Sequence, residues 1–366
     1  MTVLKGHRPD YFLLVVLILL TAGGLVILSS ASSELGKIKF DDTYYYLKHQ
    51  ILYGLIFGAL CFAAVYKIHY ASLKKLALPF LAVNIILLIL VFTKLGFSAG
   101  GASRWLQIGP ATIQPAEFLK FTLIVYLAAW LSNPKSDRVG SFTNGLLPFL
   151  AILGITGGLI VLQPATSTVV ILIAACLTIY FISGAKWRYI ALTVLLMILV
   201  LAALVYVTPY RLNRVVGFLN PQDDSQSLNY HRNQAEMAIG SGRLFGLGYG
   251  QSPAKVNYLP EVVGDSIFAV AAQELGFAGS ASLIVLFGML VFRLFWLAKK
   301  TRDRFSRLIL IGFGTIIAVQ SLMNMAAISG IIPLTGVPLP FISYGGTALA
   351  VFLAMAGLSL NISKYA

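Results

Sequence analysis

The chain has 366 residues, of which 58% are hydrophobic and only 11% are charged. Soluble domains carry about 25% charged residues, so this composition excludes a soluble globular protein and predicts an all-α integral membrane protein. The net charge of +14 does not indicate nucleic-acid binding, because most basic residues lie in short clusters between apolar stretches, as the positive-inside rule requires.

Ten apolar stretches approach the length of about 20 residues that a membrane-spanning helix needs. They predict a single polytopic domain over residues 1–366, with about ten transmembrane helices near 11–30, 49–66, 74–95, 115–132, 145–163, 167–184, 188–208, 265–297, 307–328 and 344–361. A removed signal peptide is the alternative for the first stretch. That stretch is longer than a typical signal-peptide core, so we interpret it as a span.

An even number of spans places both termini on one side of the membrane, and Lys and Arg are concentrated in the segments on that side. The positive-inside rule then predicts cytoplasmic N- and C-termini. Residues 209–264, between the seventh and eighth spans, become a large extracytoplasmic loop. Loops of this length are usually functional or disordered, and the glycines and apolar residues of this one favour an ordered loop over the bundle.

The fourth span begins near Pro115 and carries Glu117 and Lys120. These residues are three apart and therefore share a helix face. They either neutralise each other or line a polar cavity, and pairing does not exclude the second role. We expect both side chains to face an outer cavity that they share with Asp265, an acidic residue at the start of the eighth predicted span.

Residues 324–346 contain prolines at 333, 338 and 340 and glycines at 330, 336, 345 and 346. Such a segment cannot form one continuous helix. Irregular backbone near membrane depth is tolerated only where protein covers it or where it lines a watery cavity. The segment therefore predicts a re-entrant cavity wall.

Asp265 lies where the large polar segment meets the eighth span. Ionisable groups at membrane depth usually face a cavity or a partner and mark functional sites. The alternative is that Asp265 caps the helix that starts there, since Asp is a favoured N-cap residue. Residue chemistry alone leaves both interpretations open. A triad of Asp265 with His231 and a serine has no support in the spacing of these residues.

Several outer segments carry basic residues that are suited to phosphate groups, because Arg in particular makes bidentate phosphate contacts. They predict an amphiphilic, phosphate-bearing lipid as substrate. These residues are Arg104, Lys120, Arg232, Arg243 and Lys255.

The motifs in these segments resemble those of the SEDS family of cell-wall proteins, which includes FtsW, RodA and SpoVE. The C-terminal segment is similar to the family signature through Asn324, Gly330, Pro333, Thr335-Gly336, Pro338-Leu-Pro340-Phe341 and Ser343-Tyr-Gly-Gly346. Further matches are Arg104-Trp105, Gln114-Pro115 with Glu117 and Lys120, Ala238-Ile-Gly240-Ser-Gly242, and Tyr258-Leu-Pro-Glu261 followed by Asp265 and by Glu274-Leu-Gly276. The sequence Ser30-Ala-Ser32 after the first span and the turn at Gln163-Pro164 favour the FtsW and SpoVE branch over RodA. The chain departs from the family pattern at Ala165, where Asp is common, and at His49, where Arg is commoner.

The resemblance implies a glycosyltransferase that polymerises lipid II into peptidoglycan strands at the outer face of the bacterial plasma membrane. It implies that Asp265 is the catalytic general base for the acceptor sugar hydroxyl, which displaces undecaprenyl diphosphate. We expect substrate-binding roles for Arg104, Glu117, Lys120, Arg243, Lys255 and Ser343.

The resemblance also implies a class B penicillin-binding protein transpeptidase as partner, together with other division or elongation membrane proteins. A divalent cation, Mg²⁺ or Mn²⁺, is expected, with Asp265 or the substrate diphosphate supplying ligand oxygens. Two other functions stay open at this point. The same cavity could flip lipid II across the membrane, or the protein could be a non-catalytic scaffold of the division machinery.

Overall fold

The computed structural model describes residues 7–99, 102–109, 111–133, 137–219, 228–255 and 259–366. Helices dominate these residues, and the prediction of an all-α membrane protein is confirmed. The helices are α1 (Tyr11–Ala31), α2 (Ser33–Phe40), α3 (Tyr45–His49), α4 (Phe57–Lys67), α5 (Tyr70–Leu90), α6 (Pro115–Leu131), α7 (Leu147–Leu162), α8 (Thr166–Ile182), α9 (Trp187–Val207), α10 (Pro209–Leu219), α11 (Leu228–Ser241), α12 (Ile267–Lys300), α13 (Arg304–Ile328) and α14 (Gly346–Ser363). Two π-helical segments, Gln50–Ile56 and Phe142–Leu146, lead into α4 and α7.

Eight helices in the described ranges are long and apolar enough to cross a membrane. In two of them, the spans Tyr45–Lys67 and Phe142–Leu162, a π-helical segment is continuous with the α-helix. The 17-residue helices α6 and α8 coincide with the fourth and sixth predicted spans.

The centre of the bundle is formed by α13 and α14. An apolar stretch of 18 residues in each of these helices is 78% buried, whereas the corresponding stretch of α9 is only 11% buried. Glycines let α14 approach α4 closely. A Cβ on Gly58 would lie 2.6 Å from Leu353 Cδ1, and one on Gly357 would lie 2.7 Å from the Phe62 carbonyl oxygen. Small residues at such crossings allow the close van der Waals packing that holds membrane helices together.

A three-stranded antiparallel sheet between α5 and α6 was not predicted. It consists of β1 (Gly96–Ala99), β2 (Ala102–Ile108) and β3 (Ala111–Ile113) in the order β1-β2-β3. The strands are only three to seven residues long, which is too short for the hydrophobic alternation that identifies a strand in a sequence.

The polar segment 209–264 also contains more structure than the predicted loop, namely α10 and α11. In α10 the basic residues Arg211 and Arg214 are three apart and interleaved with apolar residues. This amphipathic pattern is typical of a helix lying along an interface.

The eighth predicted span is interrupted at Gly276, where the backbone of α12 takes the non-helical values φ 68° and ψ −166°. In a continuous helix the N–H groups of Phe277 and Ala278 would donate to the carbonyls of Gln273 and Glu274, and the break separates them. All four find new partners in residues 243–248. The Leu247 and Gly248 N–H groups donate to the Gln273 and Glu274 carbonyls (3.0 Å each), and the Phe277 and Ala278 N–H groups donate to the Arg243 and Leu244 carbonyls (2.9 and 3.0 Å).

This exchange explains the glycines that punctuate the segment, because two backbones must approach without a Cβ between them. A Cβ on Gly246 would lie 2.1 Å from the Glu274 carbonyl oxygen, and one on Gly276 would lie 2.2 Å from the Gly246 nitrogen. Residues 243–248 of the predicted loop are therefore ordered and pack through their backbone against residues 273–278 of α12; residues 220–227 and 256–258 of that loop lie outside the described residues.

Gly246→Ala is expected to destabilise the protein more than Gly250→Ala. Both residues have φ of +80°, so both variants carry the same cost of a left-handed alanine, about 1–2 kcal/mol. Only at Gly246 does the new Cβ meet backbone, since nothing lies within 4 Å of a Cβ on Gly250. Thermal unfolding of the two variants in detergent measures the difference, and equal unfolding temperatures would contradict this account of the loop.

Candidate active site

Asp265 lies in the turn that precedes α12, one residue before its N-cap position, which Ser266 occupies. The interpretation of Asp265 as the helix cap is therefore wrong. The Ser266 hydroxyl donates to the Pro260 carbonyl (2.8 Å) and is 2.6 Å from His231 Nε2. Among the described residues, the buried Oδ1 atom of Asp265 has no hydrogen-bond partner.

Two side chains from the C-terminal half hold the backbone of this turn. Asn324 Nδ2, on α13, donates to the carbonyls of both Asp265 (2.8 Å) and Val337 (2.7 Å). The Ser343 hydroxyl donates to the Gly264 carbonyl (2.6 Å) and accepts from the Leu339 N–H (2.8 Å). The proline-rich segment and the Asp265 turn are thus clamped together as one unit.

The π-helical segment Gln50–Ile56 contributes a further contact to this unit. Gln50 is buried, and its Oε1 accepts from the Gly345 N–H (3.0 Å) while its Nε2 donates to the Ser343 carbonyl (3.3 Å). Single π-helical turns are frequent at functional sites. Here the turn carries a glutamine whose amide orders the residues that hold the Asp265 turn.

Two charged groups act on the Asp265 carboxyl in opposite directions. Burial and the nearby Glu261 carboxylate raise the pKa of Asp265 to about 7, while Arg214 acts to lower it. Burial, assisted by Arg214, lowers the pKa of His231 to about 4. His231 is therefore neutral, and its Nε2 donates to Ser266, whose own hydrogen goes to Pro260.

The raised pKa of Asp265 predicts that wild-type stability depends on pH in a way that Asp265→Asn removes. A carboxyl with a folded pKa near 7 and an ordinary value of 3.8 binds its proton more tightly in the folded state. Its contribution is fully present below about pH 4 and is lost as the pH rises to 7. Unfolding temperatures of the two proteins in detergent should match at low pH, with the variant more stable at pH 8; equal values at both would contradict the raised pKa.

Glu117 and Lys120 form a buried ion pair on α6, with 2.7 Å between Glu117 Oε1 and Lys120 Nζ and exposures of 3% and 0%. Lys120 Nζ also donates to Gln320 Oε1 (2.8 Å), and Gln320 Nε2 donates to the Pro338 carbonyl (2.8 Å). The pairing expected from their spacing is observed. That both face the cavity of Asp265 stays a prediction, but their hydrogen bonds reach the proline-rich segment that holds the Asp265 turn.

Arg214, on α10, belongs to this site, although it is not among the site residues predicted from the sequence. Its Nη1 donates to the Leu334 carbonyl (3.1 Å), a second nitrogen contacts the Tyr210 hydroxyl, and its buried Nε has no partner among the described residues. Arg214 and Arg232 line a small pocket against Pro333 and Leu334. The spacing of Arg211 and Arg214 on an amphipathic stretch was the available signal.

The side chain of Arg104, on β2, reaches the turn that precedes α8. Its Nε and Nη2 donate to the carbonyls of Gln163 (2.9 Å) and Pro164 (2.7 Å), and it lies within electrostatic reach of Arg214. Ala165 occupies the N-cap position of α8 and makes no side-chain cap. The family's Asp at this place would sit at that N-cap.

The remaining predicted residues have mainly structural contacts. Lys255 is buried, with Nζ 2.6 Å from the Gly250 carbonyl and 3.6 Å from Glu274 Oε1, which also accepts from Ser30. The Arg243 side chain is exposed, and its carbonyl takes part in the exchange at Gly276. Substrate binding by Lys255, Arg243 and Ser343 stays a prediction.

An apolar cavity of about 270 Å³ lies between α7, α8 and α9. Its lining is apolar apart from Thr193, and Gly154, Gly157 and Gly158 leave room on the α7 side. Val161 lines one end, and its carbonyl is 3.5 Å from Arg211 Nη2. Arg104 donates to the carbonyls of Gln163 and Pro164, which follow Val161 by two and three residues. The cavity thus ends beside two cations, an arrangement complementary to an amphiphile with an anionic head.

Residues 10–366 match the family of cell cycle proteins that comprises FtsW, RodA and SpoVE. Stage V sporulation protein E of Bacillus subtilis is 33% identical over 362 residues, which cover 99% of this chain and 98% of that protein. A probable peptidoglycan glycosyltransferase FtsW of Trichlorobacter lovleyi is 35% identical over 355 residues, with 97% and 93% covered.

Solved structures agree with these matches. A chain from a peptidoglycan synthase complex, studied for its structural coordination of polymerization and crosslinking, has a TM-score of 0.80 at 26% identity, with 97% of both chains covered. RodA, the rod shape determining protein of Thermus thermophilus, has a TM-score of 0.71 at 27% identity, with 97% and 96% covered. This multi-pass membrane protein belongs to the SEDS family of FtsW, RodA and SpoVE.

Proposed function

We propose that this protein polymerises lipid II into glycan strands at the outer face of the bacterial plasma membrane, during division or elongation. Relatives in its family carry the name probable peptidoglycan glycosyltransferase FtsW. The observation that carries the proposal is the Asp265 carboxyl, which has a free buried oxygen and a pKa of about 7. A general base works best when its pKa is close to the operating pH.

In the proposed reaction, Asp265 accepts the proton of an acceptor sugar hydroxyl as the oxygen attacks the anomeric carbon of the donor sugar. A new glycosidic C–O bond forms, and the bond between that carbon and the diphosphate breaks. The electron pair leaves with undecaprenyl diphosphate. The clamps from Asn324 and Ser343 fix the backbone on either side of the carboxyl, which provides the positioning that such a step requires.

The arginines supply the complementary half of the site. Arg214 lies within electrostatic reach of Asp265, and Arg104 and Arg211 lie at the end of the apolar cavity. Cations placed where charge develops on a leaving group stabilise the transition state. We propose that the prenyl chain occupies the cavity and that the diphosphate is bound by these arginines.

The described residues contain no group of three or more His, Cys, Asp or Glu that could hold a metal ion. A divalent cation, Mg²⁺ or Mn²⁺, would thus depend on diphosphate oxygens and water for most of its ligands, a common mode for Mg²⁺. The requirement stays a proposal, and polymerisation assays with and without a chelator test it.

We also propose a class B penicillin-binding protein as partner, with the N- and C-termini of the present chain in the cytoplasm. A structurally similar chain comes from a complex in which polymerization and crosslinking are coordinated. A purified transpeptidase of this class, added to the polymerisation assay, should raise the rate.

The experiment that separates the enzyme from a lipid II flippase or a scaffold supplies lipid II directly to the purified protein in detergent. Because no membrane has to be crossed there, transport cannot limit the reaction. The enzyme yields glycan polymer. No polymer, with or without the partner transpeptidase, would overturn the proposal.

A further inference from the structure

Four aromatic rings form a continuous cluster beside the Asp265 turn. Phe40 and Tyr45 stack nearly parallel, with centroids 3.6 Å apart and an interplanar angle of 8°. Tyr45 meets Tyr46 edge-on at 5.6 Å, and Tyr46 meets Tyr344 edge-on at 5.1 Å. We call these four residues the tyrosine cluster. All four are at least partly exposed, and no hydrogen bond between described residues uses the Tyr45, Tyr46 or Tyr344 hydroxyls.

The cluster is joined to the candidate site by backbone and by charge. The Tyr344 N–H donates to the Val263 carbonyl (2.8 Å), two residues before Asp265. Glu261, on the same turn, has an exposed side chain and interacts electrostatically with both the Tyr46 hydroxyl and the Asp265 carboxyl. Its φ of 49° is a left-handed conformation that costs a non-glycine residue free energy and that clusters at functional sites.

Asp265 thus lies within electrostatic reach of both an anionic group, Glu261, and a cationic group, Arg214. The positive charge of Arg214 interacts electrostatically with Asp265, His231 and Arg104. The negative charge of Glu261 interacts electrostatically with Asp265 and Tyr46. The arginine region suits an anionic diphosphate. The region with Glu261 would repel that group, since like charges placed together disfavour binding.

We propose that the tyrosine cluster and Glu261 form a subsite for the neutral sugar rings of the glycan strand. This inference rests on the proposed function and names the part of the site that holds uncharged saccharide. Aromatic faces pack against the apolar C–H faces of pyranose rings, and their rigid rings lose little conformational entropy on binding. The Glu261 carboxylate accepts hydrogen bonds from sugar hydroxyl and amide groups, and the free tyrosine hydroxyls both donate and accept.

The competing explanation is that these tyrosines anchor the protein at the membrane interface, where tyrosine is enriched. The two explanations differ in a binding measurement that needs neither catalysis nor lipid. The probe is a soluble tetramer of β-1,4-linked N-acetylglucosamine, titrated into the purified full-length protein in detergent and followed by saturation-transfer NMR.

We expect the wild-type protein to bind the tetramer, and Tyr46→Leu and Tyr344→Leu to weaken binding by roughly 3- to 10-fold each, the effect of losing one aromatic contact. Tyr46→Phe, which keeps the ring and loses only the hydroxyl, should weaken binding less than Tyr46→Leu does. Glu261→Gln tests the contribution of the Glu261 carboxylate to the subsite, with a surface substitution that does not disturb packing. The matched control is Tyr206→Leu, because Tyr206 is 82% exposed and lies at the end of α9, whereas the cluster residues lie on α2, on α3 and before α14.

Weaker tetramer binding in the cluster variants, with unchanged binding in Tyr206→Leu, supports the subsite even in a preparation that makes no polymer. Unchanged tetramer binding in Tyr46→Leu, Tyr344→Leu and Glu261→Gln overturns it, as does a wild-type protein that does not bind the tetramer. In both of these cases, polymer formed from lipid II by the wild-type protein would leave the proposed function intact. The two proposals therefore fail separately.

Discussion

Asp265→Asn is expected to lower the rate of glycan polymerisation by about 10²–10⁴, the usual contribution of a positioned general base. Asn has nearly the same shape as Asp but cannot accept the proton of the acceptor hydroxyl. The substitution should not unfold the protein, because the buried Oδ1 makes no hydrogen bond among the described residues and a neutral amide removes a buried charge. Polymer formation from lipid II in detergent, with the unfolding temperature as control, measures the effect.

Two companion variants make this result specific. Ser266→Ala removes the neighbouring hydroxyl, which contacts Pro260 and His231, but leaves the carboxyl in place. It should therefore retain far more activity than Asp265→Asn. Asp265→Glu keeps the base but moves it by one methylene, and we expect an intermediate rate. Near-normal polymerisation by a folded Asp265→Asn protein would remove this residue from the mechanism.

Lys120→Met is expected to destabilise the protein by about 3–5 kcal/mol, because breaking a buried ion pair leaves its partner charge uncompensated. Glu117 is 3% exposed and its Oε2 has no partner among the described residues, so it cannot recover solvation. The substitution also removes the donor to Gln320, whose amide is bonded to Pro338. Polymerisation should fall along with stability.

The control is the double variant Glu117→Gln with Lys120→Met, in which no charge is left behind. Replacing both members of a buried pair with neutral groups often costs little, so its unfolding temperature should recover toward the wild-type value. If the single and double variants were equally unstable, the cost would lie in packing around Lys120 and not in the unpaired charge.

Features that depend on spacing along one helix could be predicted from the sequence. The ten apolar stretches all correspond to helices, and the separation of three residues between Glu117 and Lys120 is enough to place them on one face. The prolines and glycines of residues 324–346 likewise excluded a continuous helix. These inferences needed only local geometry and the hydrophobic effect.

Features that depend on contacts between distant segments could not be predicted. The helix break at Gly276 is satisfied by residues 243–248, and neither segment alone indicates the other. The charge of Lys255 predicts a substrate-binding role, yet the side chain is buried with Glu274 and Ser30, because a charge in the sequence does not reveal its partner. Asp265 has the residue type of a helix cap but lies one residue too early, a difference below the accuracy with which helix ends can be predicted.

The pH dependence of polymerisation by the wild-type protein shows whether Asp265 is the general base. With lipid II supplied in detergent and the pH varied from about 5 to 9, Asp265 titrates inside the range, far above an ordinary Asp. If Asp265 is the general base, the rate should fall below pH 7, in step with protonation of one group whose pKa is about 7. Asp265→Asn should show only a low rate without that step. A wild-type rate that stays constant down to pH 5 would contradict the assignment of Asp265 as the general base.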